Sequence, residues 1–192
     1  MNRISQIDVP QATGNTKQLF EAIQAKLGVV PNLFCVLGNS PAALEGYFNF
    51  SSALAAGSFD VKLREQIALT VAASNLCPYC LSAHAFIGGR AGLTAKEIAQ
   101  AGHAVSAIAK TNAILRLARN IVVHRGEVSD ADLDQSRASG LTDGEIVETV
   151  ANVALNIFTN YVNHVARTVV DFPEVKLDPV ELNRLQNPPK SL

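Results

Sequence analysis

Apolar residues recur at intervals of three and four along most of this chain, and strand signals are weak throughout, so the pattern predicts helices. After Asn15, the positions Leu19, Phe20, Ile23 and Leu27 share one helical face, and Gly28 supplies a stop. A short helix is expected in VVPNLFCVLGNSP between its proline boundaries. The stretch AALEGYFNFSSALAAG after Pro41 is apolar enough to lie mostly inside. Asp60 can cap a helix running to about Leu76, and Pro78 suits the first turn of the next, where a missing N–H costs nothing. Thr94 with Glu97, and Thr142 with Glu145, match the capping box. Between them, SAIAKTNAILRLARNIVVH reads as a long helix, and Ser129 can cap a short one. The last helix is expected from about Asp143 towards Val170, stopping before Pro173. The tail VKLDPVELNRLQNPPKSL is polar and proline-rich, and is expected on the surface or against a neighbouring subunit. The fold class that follows is all-α.

A second regularity links distant segments. EQIALTVAASNLCPYCLSAH (65–84) aligns with EIVETVANVALNIFTNYVNH (145–164), Glu65 meeting Glu145 and His84 meeting His164. Ile157 and Asn160 stand where the first copy has Cys77 and Cys80. Such an alignment is what a duplicated helical unit with thiols in only one copy would leave behind.

Composition narrows the classes of function. The 192 residues are 48% hydrophobic and only 17% charged, a balance that hints at apolar surface buried between subunits. Lys and Arg number 16 against 17 Asp and Glu, with no basic stripe, so nucleic acid is not an expected partner. No run approaches the ~18 consecutive apolar residues of a membrane span. The opening MNRISQIDVPQATGNTK has no apolar core of a signal peptide, and a cytoplasmic protein is expected. Three cysteines, an odd count, argue against a secreted disulfide framework.

The chemistry concentrates in CPYCLSAH, residues 77–84. Cys80 and His84 are four apart and share a helix face; Cys77, seven before His84, can join them. With Pro78 opening the helix, Cys77 falls at the N-cap, where unpaired amides and the helix dipole favour a thiolate. A histidine within reach can take a thiol proton as general base. Two thiols at this spacing can close a disulfide once one is oxidised. The helix end favours Cys77 as the attacking sulfur, and base proximity favours Cys80. Directional proton removal carries more weight than a helix-end effect that is typically below ~1 kcal/mol on an exposed surface. Zinc would need a fourth ligand that C-x2-C and His84 do not supply, and no metal or other cofactor is expected. Cys35 in LFCVL reads as a small core residue, His164 as a packing or interface histidine, and Asn156, Asn160 and Asn163 as makers of interhelical hydrogen bonds in preference to a polar pocket wall.

Glu65, Cys77, Cys80 and His84 together form E-x11-C-x2-C-x3-H, which resembles the AhpD-like alkylhydroperoxidases of the carboxymuconolactone decarboxylase superfamily. VPNLFCVLGNSP (30–41) and NIFTNYVNHVARTVVDFP (156–173) resemble its peroxidase-related branch. The resemblance spans nearly the whole chain and implies one all-helical domain over 1–192. Its redox unit would occupy about 41–104, and a degenerate second unit about 129–172. It implies antioxidant reduction of organic hydroperoxides or hydrogen peroxide, with Cys80 becoming the sulfenic acid, Cys77 resolving it, and Glu65 and His84 relaying protons. It further implies a thiol or lipoyl-bearing reductant and a homo-oligomer (dimer, trimer or hexamer). Tyr79 stands where well-studied members carry a histidine of the relay, so more of the proton transfer would fall to His84 and Glu65. Glu65 enters through the resemblance alone. If the chain reverses near Asn75–Pro78, Glu65 lies about 15 Å up one helix and His84 about 9 Å up the other. Lactone decarboxylation by acid–base chemistry and a non-enzymatic redox sensor are the competing readings.

Overall fold

Side-chain caps set most of the helix starts. Ser40, Asp60, Thr94, Ser129 and Thr142 each accept a hydrogen bond from the backbone N–H three residues on, satisfying an amide that the helix itself leaves unpaired. The computed structural model describes residues 3–176, and among these there are nine α-helices, a single 3-10 turn at Val9–Gln11, and no strand. The helices are α1 Gly14–Leu27, α2 Asn32–Leu37, α3 Pro41–Ala55, α4 Val61–Ser74, α5 Pro78–Arg90, α6 Ala95–Gly102, α7 Ala109–Val123, α8 Asp130–Ala138 and α9 Asp143–Ala166. The all-α expectation holds.

α4 is the centre of the fold. Every residue from Gln66 to Ala73 is buried, so this helix is covered all round, and it packs against α5, α6, α7 and α9. Ile67, Leu69 and Val71 meet Ile114, Leu115 and Leu117 of α7 and Val153 of α9 in one apolar cluster. Thr70, fully buried, donates its hydroxyl to the Ala101 carbonyl at 2.7 Å and to the Gln66 carbonyl at 3.0 Å, so the one hydroxyl in the middle of this helix is satisfied.

The turn after α4 creates the site. Leu76 takes a left-handed conformation (φ 54°), its N–H bonds to the Ala73 carbonyl, and the Cys77 N–H bonds to the Ala72 carbonyl. This is the paired pattern that closes a helix C-terminus, made here by leucine rather than glycine. Cys77 is then already the N-cap of α5, and the chain reverses within three residues.

Several expectations are corrected. α3 buries only Leu44, so the segment after Pro41 is not mostly inside; Phe50 is exposed. α9 stops at Ala166, with Arg167 left-handed at φ 51°, short of Val170. The segments 65–84 and 145–164 do not follow the same path: the first is two helices with a reversal, the second lies within the single helix α9. The proposed tail lies outside the described residues beyond Lys176. Before that point, Asp171 caps α2 by accepting from the Asn32 N–H at 2.8 Å, and the Val175 N–H donates to Ser82 Oγ at 3.0 Å, lapping the chain over α5.

Candidate active site

Cys77 and Cys80 are joined as a disulfide at the start of α5, their Cα atoms 5.4 Å apart. Cys77 Sγ also accepts the Cys80 backbone N–H at 3.3 Å, the N-cap contact expected from the sequence. Both cysteines are almost wholly buried, but each forms part of a cavity wall.

Glu65 and His84 meet. Glu65 Oε2 lies 2.8 Å from His84 Nδ1, and both side chains are mostly buried. The reach that helix rise made doubtful is bridged by a close crossing of α4 and α5. Gly88, one turn beyond His84, faces Glu65: a Cβ there would sit 3.6 Å from the Glu65 Cβ and 3.0 Å from Leu93 Cδ1. A methyl there would touch the Glu65 stem at ordinary contact distance and press on Leu93, so the crossing leaves room for little more than glycine.

Cys80 and His84 line a single cavity of about 500 Å³, enclosed by Leu33 and Phe34 of α2, Tyr47 of α3, and Phe86 and Ile87 of α5, with Phe172 from the C-terminal segment. His84 makes its hydrogen bond to Glu65 and none to Cys80, so the two share the cavity without direct contact. The sulfur's polar neighbour is Asn163 of α9, which donates from Nδ2 to Cys80 Sγ at 3.2 Å, an interhelical bond at the cavity wall. Asn160, one turn earlier, accepts from Asn75 Nδ2 at 3.0 Å, the interhelical bond expected of these asparagines. Asn156 bonds within its own helix, to the Asn152 carbonyl. The signal for Asn163 was its helical spacing from two other asparagines, which could not say which of the three would face a sulfur.

Tyr79 turns away from Glu65 and His84. Its hydroxyl accepts the Leu33 N–H at 3.1 Å and hydrogen-bonds Asp171, and its ring packs edge-on against Phe172. Burial, with the Asp171 charge adding to it, pushes the phenol far above its ordinary range, so Tyr79 stays protonated. Tyr47, missed by the sequence reading, lines the cavity, where burial and the charge of Glu65 push its phenol up to about 12.

The remaining candidates fall outside this cavity. Cys35 is buried, its thiol pushed up first by burial and then by Asp171 and Asp8. His164 is exposed, its Nε2 2.8 Å from the Asn75 carbonyl. Glu145 is the capping-box residue expected, and also pairs with Lys110 at 2.7 Å. Among the described residues no group of three or more His, Cys, Asp or Glu is disposed to hold a metal.

Comparison with known proteins bears on this site directly. The model of the carboxymuconolactone decarboxylase family matches residues 41–123, from the start of α3 to the end of α7, so the match includes Glu65, both cysteines and His84. No curated protein matches in sequence. Among solved structures, the chain is similar to an alkylhydroperoxidase AhpD core, an uncharacterised peroxidase-related protein from Ralstonia eutropha JMP134, with TM-score 0.77, 22% identity and 98% of each chain covered. A peroxidase-related protein from Silicibacter sp. TM1040 gives 0.75 at 23% identity, covering 87% of this chain and 92% of the other. The debrominase Bmp8, solved with 2,3,4-tribromopyrrole, gives 0.75 at 16% identity, covering 95% and 97%. At these identities the likeness to solved structures is one of fold. The chain thus matches the carboxymuconolactone decarboxylase family over 41–123, the segment that carries the cysteine pair, and shares the fold of AhpD-like structures along nearly its whole length.

Proposed function

We propose that this protein is a thiol-dependent peroxidase that reduces organic hydroperoxides. The observation that carries the reading is Cys80 in the wall of an apolar cavity of about 500 Å³ that it shares with the Glu65–His84 pair. Cys80, as thiolate, attacks the distal oxygen of the hydroperoxide; the O–O bond breaks, Cys80 becomes a sulfenic acid, and the alkoxide leaves as an alcohol after taking a proton. His84, oriented by Glu65 through Nδ1, removes the thiol proton and returns one to the leaving oxygen, with the substrate or a water spanning the gap to Cys80. Cys77 then attacks the sulfenic sulfur, expelling water and closing the disulfide. Two thiols are oxidised and one hydroperoxide is reduced to alcohol and water. Asn163, donating to the sulfur, stabilises the negative charge on Cys80 before attack and on its departure in later reduction. The aromatic and aliphatic walls favour substrates with an apolar body over hydrogen peroxide.

The test is hydroperoxide consumption under a dithiol reductant. Cys80→Ser is expected to abolish turnover while leaving the fold and melting temperature near those of the parent; full activity in that variant contradicts the assignment. One observation favours a second reading, acid–base chemistry on a lactone: the Glu65–His84 pair needs no thiol. Lactone turnover that survives loss of both cysteines would replace the peroxidase reading.

We infer in addition that the protein works as a homo-oligomer. Val147, Val150, Phe158, Tyr161 and Val165 form an exposed apolar stripe along α9. A matching stripe on a second copy is its natural cover.

A further inference from the structure

The disulfide has two faces, and each opens onto a different cavity. Cys80 looks into the apolar cavity already described. Cys77 looks into another, of about 300 Å³, which Cys80 does not line; it is walled by Tyr79, Asn163, His164, Arg167 and Thr168. Its chemistry differs from the first. Asn163 Oδ1 and Thr168 Oγ1 are both buried and both without a hydrogen-bond partner, and both residues are more than nine-tenths buried. A buried polar atom left unpaired costs about 1–3 kcal/mol, and both atoms belong to residues that wall this cavity, so an occupant that reached them would relieve that cost. The amide oxygen can only accept, and so asks for an N–H donor, whereas the hydroxyl takes either role. Arg167, exposed at the rim, adds positive charge suited to a carboxylate. Arg167 stands at the left-handed end of α9.

We propose that this second cavity is the docking site of the reductant, and that the reductant is a small thiol carrying an N–H donor and a carboxylate, the chemistry of a cysteinyl peptide. The inference rests on the peroxidase reading only in taking the Cys77–Cys80 disulfide as the species to be reduced. The thiolate of the bound reductant attacks Cys77 Sγ. The S–S bond breaks, Cys80 leaves as a thiolate onto the Asn163 N–H at 3.2 Å, and the reductant is held as a mixed disulfide on Cys77. A second reductant thiol attacks that mixed disulfide, releasing the oxidised reductant dimer and the Cys77 thiol. Two reductant thiols are oxidised and the protein disulfide is reduced. Hydroperoxide and reductant therefore enter by separate doors, one at each sulfur.

The experiment starts from full-length protein oxidised with diamide, so that no hydroperoxide is involved. Disulfide reduction is followed with glutathione, which carries amide N–H groups and carboxylates, and with 2-mercaptoethanol, which carries neither. In Thr168→Val, which keeps shape and loses the hydroxyl, and in Arg167→Gln, the ratio of the glutathione rate to the 2-mercaptoethanol rate is expected to fall about three- to tenfold. Acid-quenched intermediates should carry glutathione on Cys77. An unchanged ratio in both variants, or glutathione trapped on Cys80, overturns the proposal. Should Thr168→Val fail to fold, the exposed Arg167→Gln carries the test. If hydroperoxides do not oxidise the protein while these ratios still fall, the peroxidase reading fails and the reductant site stands. If hydroperoxides oxidise it and the ratios hold, the reverse is true.

Discussion

Asn163 reaches Cys80 from α9, which packs beside the turn that presents the cysteines, and it is the sulfur's only side-chain hydrogen-bond donor among the described residues. A hydrogen bond to a charged group is worth about 1.5–3 kcal/mol, so Asn163→Ala should raise the Cys80 thiol pKa by about one unit or more and slow its oxidation at neutral pH about tenfold. Ultraviolet titration of the thiolate and rapid-mixing oxidation measure both; an unshifted titration would leave Asn163 a packing residue. At this scale the sequence was informative wherever chemistry depends on local spacing. Cys77 at an N-cap and Cys80 one turn from His84 follow from the order of residues within a single helix. Asn163 and Tyr47 come from elements far along the chain, and no spacing rule connects them to the site. Tyr79 was judged by its place between the cysteines, whereas its partners, Leu33 and Asp171, come from distant segments.

Among the elements, the α4–α5 pair decides whether Glu65 and His84 can work together. Gly88→Val would thrust a branched side chain between Leu93 and the Glu65 stem, forcing the helices apart. It should lower stability by about 1–3 kcal/mol and cut peroxidase turnover further than the stability loss explains. Denaturant unfolding compared with turnover at a temperature where the variant is folded checks this. A second junction joins the α3–α4 turn to α9: the Glu148 carboxylate accepts from the Ser58 hydroxyl and from the Ser58 and Phe59 N–H groups, the latter two at 3.0 Å. Burial raises the Glu148 carboxyl, but these hydrogen bonds outweigh it and hold it below its ordinary value of 4.5. A depressed folded value means the unfolded chain binds the proton more readily. The stabilisation is therefore present above pH 4.5 and is lost as pH falls from there through the folded value. Glu148→Gln should cost about 1–2 kcal/mol at neutral pH, a difference that shrinks on acidification; a difference independent of pH would mean the charge is not what matters. The capped starts of these helices were legible because a cap is written in four consecutive residues. The expected end of α4, about Leu76, lies two residues beyond Ser74, since the left-handed position is filled by Leu76 and not by the glycine that usually marks it. The alignment of 65–84 with 145–164 fails as a guide to path for a related reason: Pro78 and the Cys77 cap reverse the first segment, and the second has nothing that breaks a helix.

On the scale of the whole molecule, apolar composition was taken as a sign of burial, and α3 and α9 divert part of it to the surface. That is where a sequence reading cannot separate core from interface, because both ask for the same side chains. Tyr161→Glu, in the middle of the α9 stripe, is expected to shift the protein to a smaller species in light scattering without unfolding it; an unchanged mass would move the interface elsewhere. The centre of the proposal is a sulfur that hydroperoxide oxidises and a neighbouring sulfur that captures the product. Thiol counting with peptide mapping, after reduced protein meets one equivalent of cumene hydroperoxide, tests it most directly. Loss of both thiols of the pair, with Cys77 linked to Cys80 and Cys35 still free, is the expected result. A full thiol count after exposure, or oxidation that proceeds at the parent rate in Cys80→Ser, would contradict it.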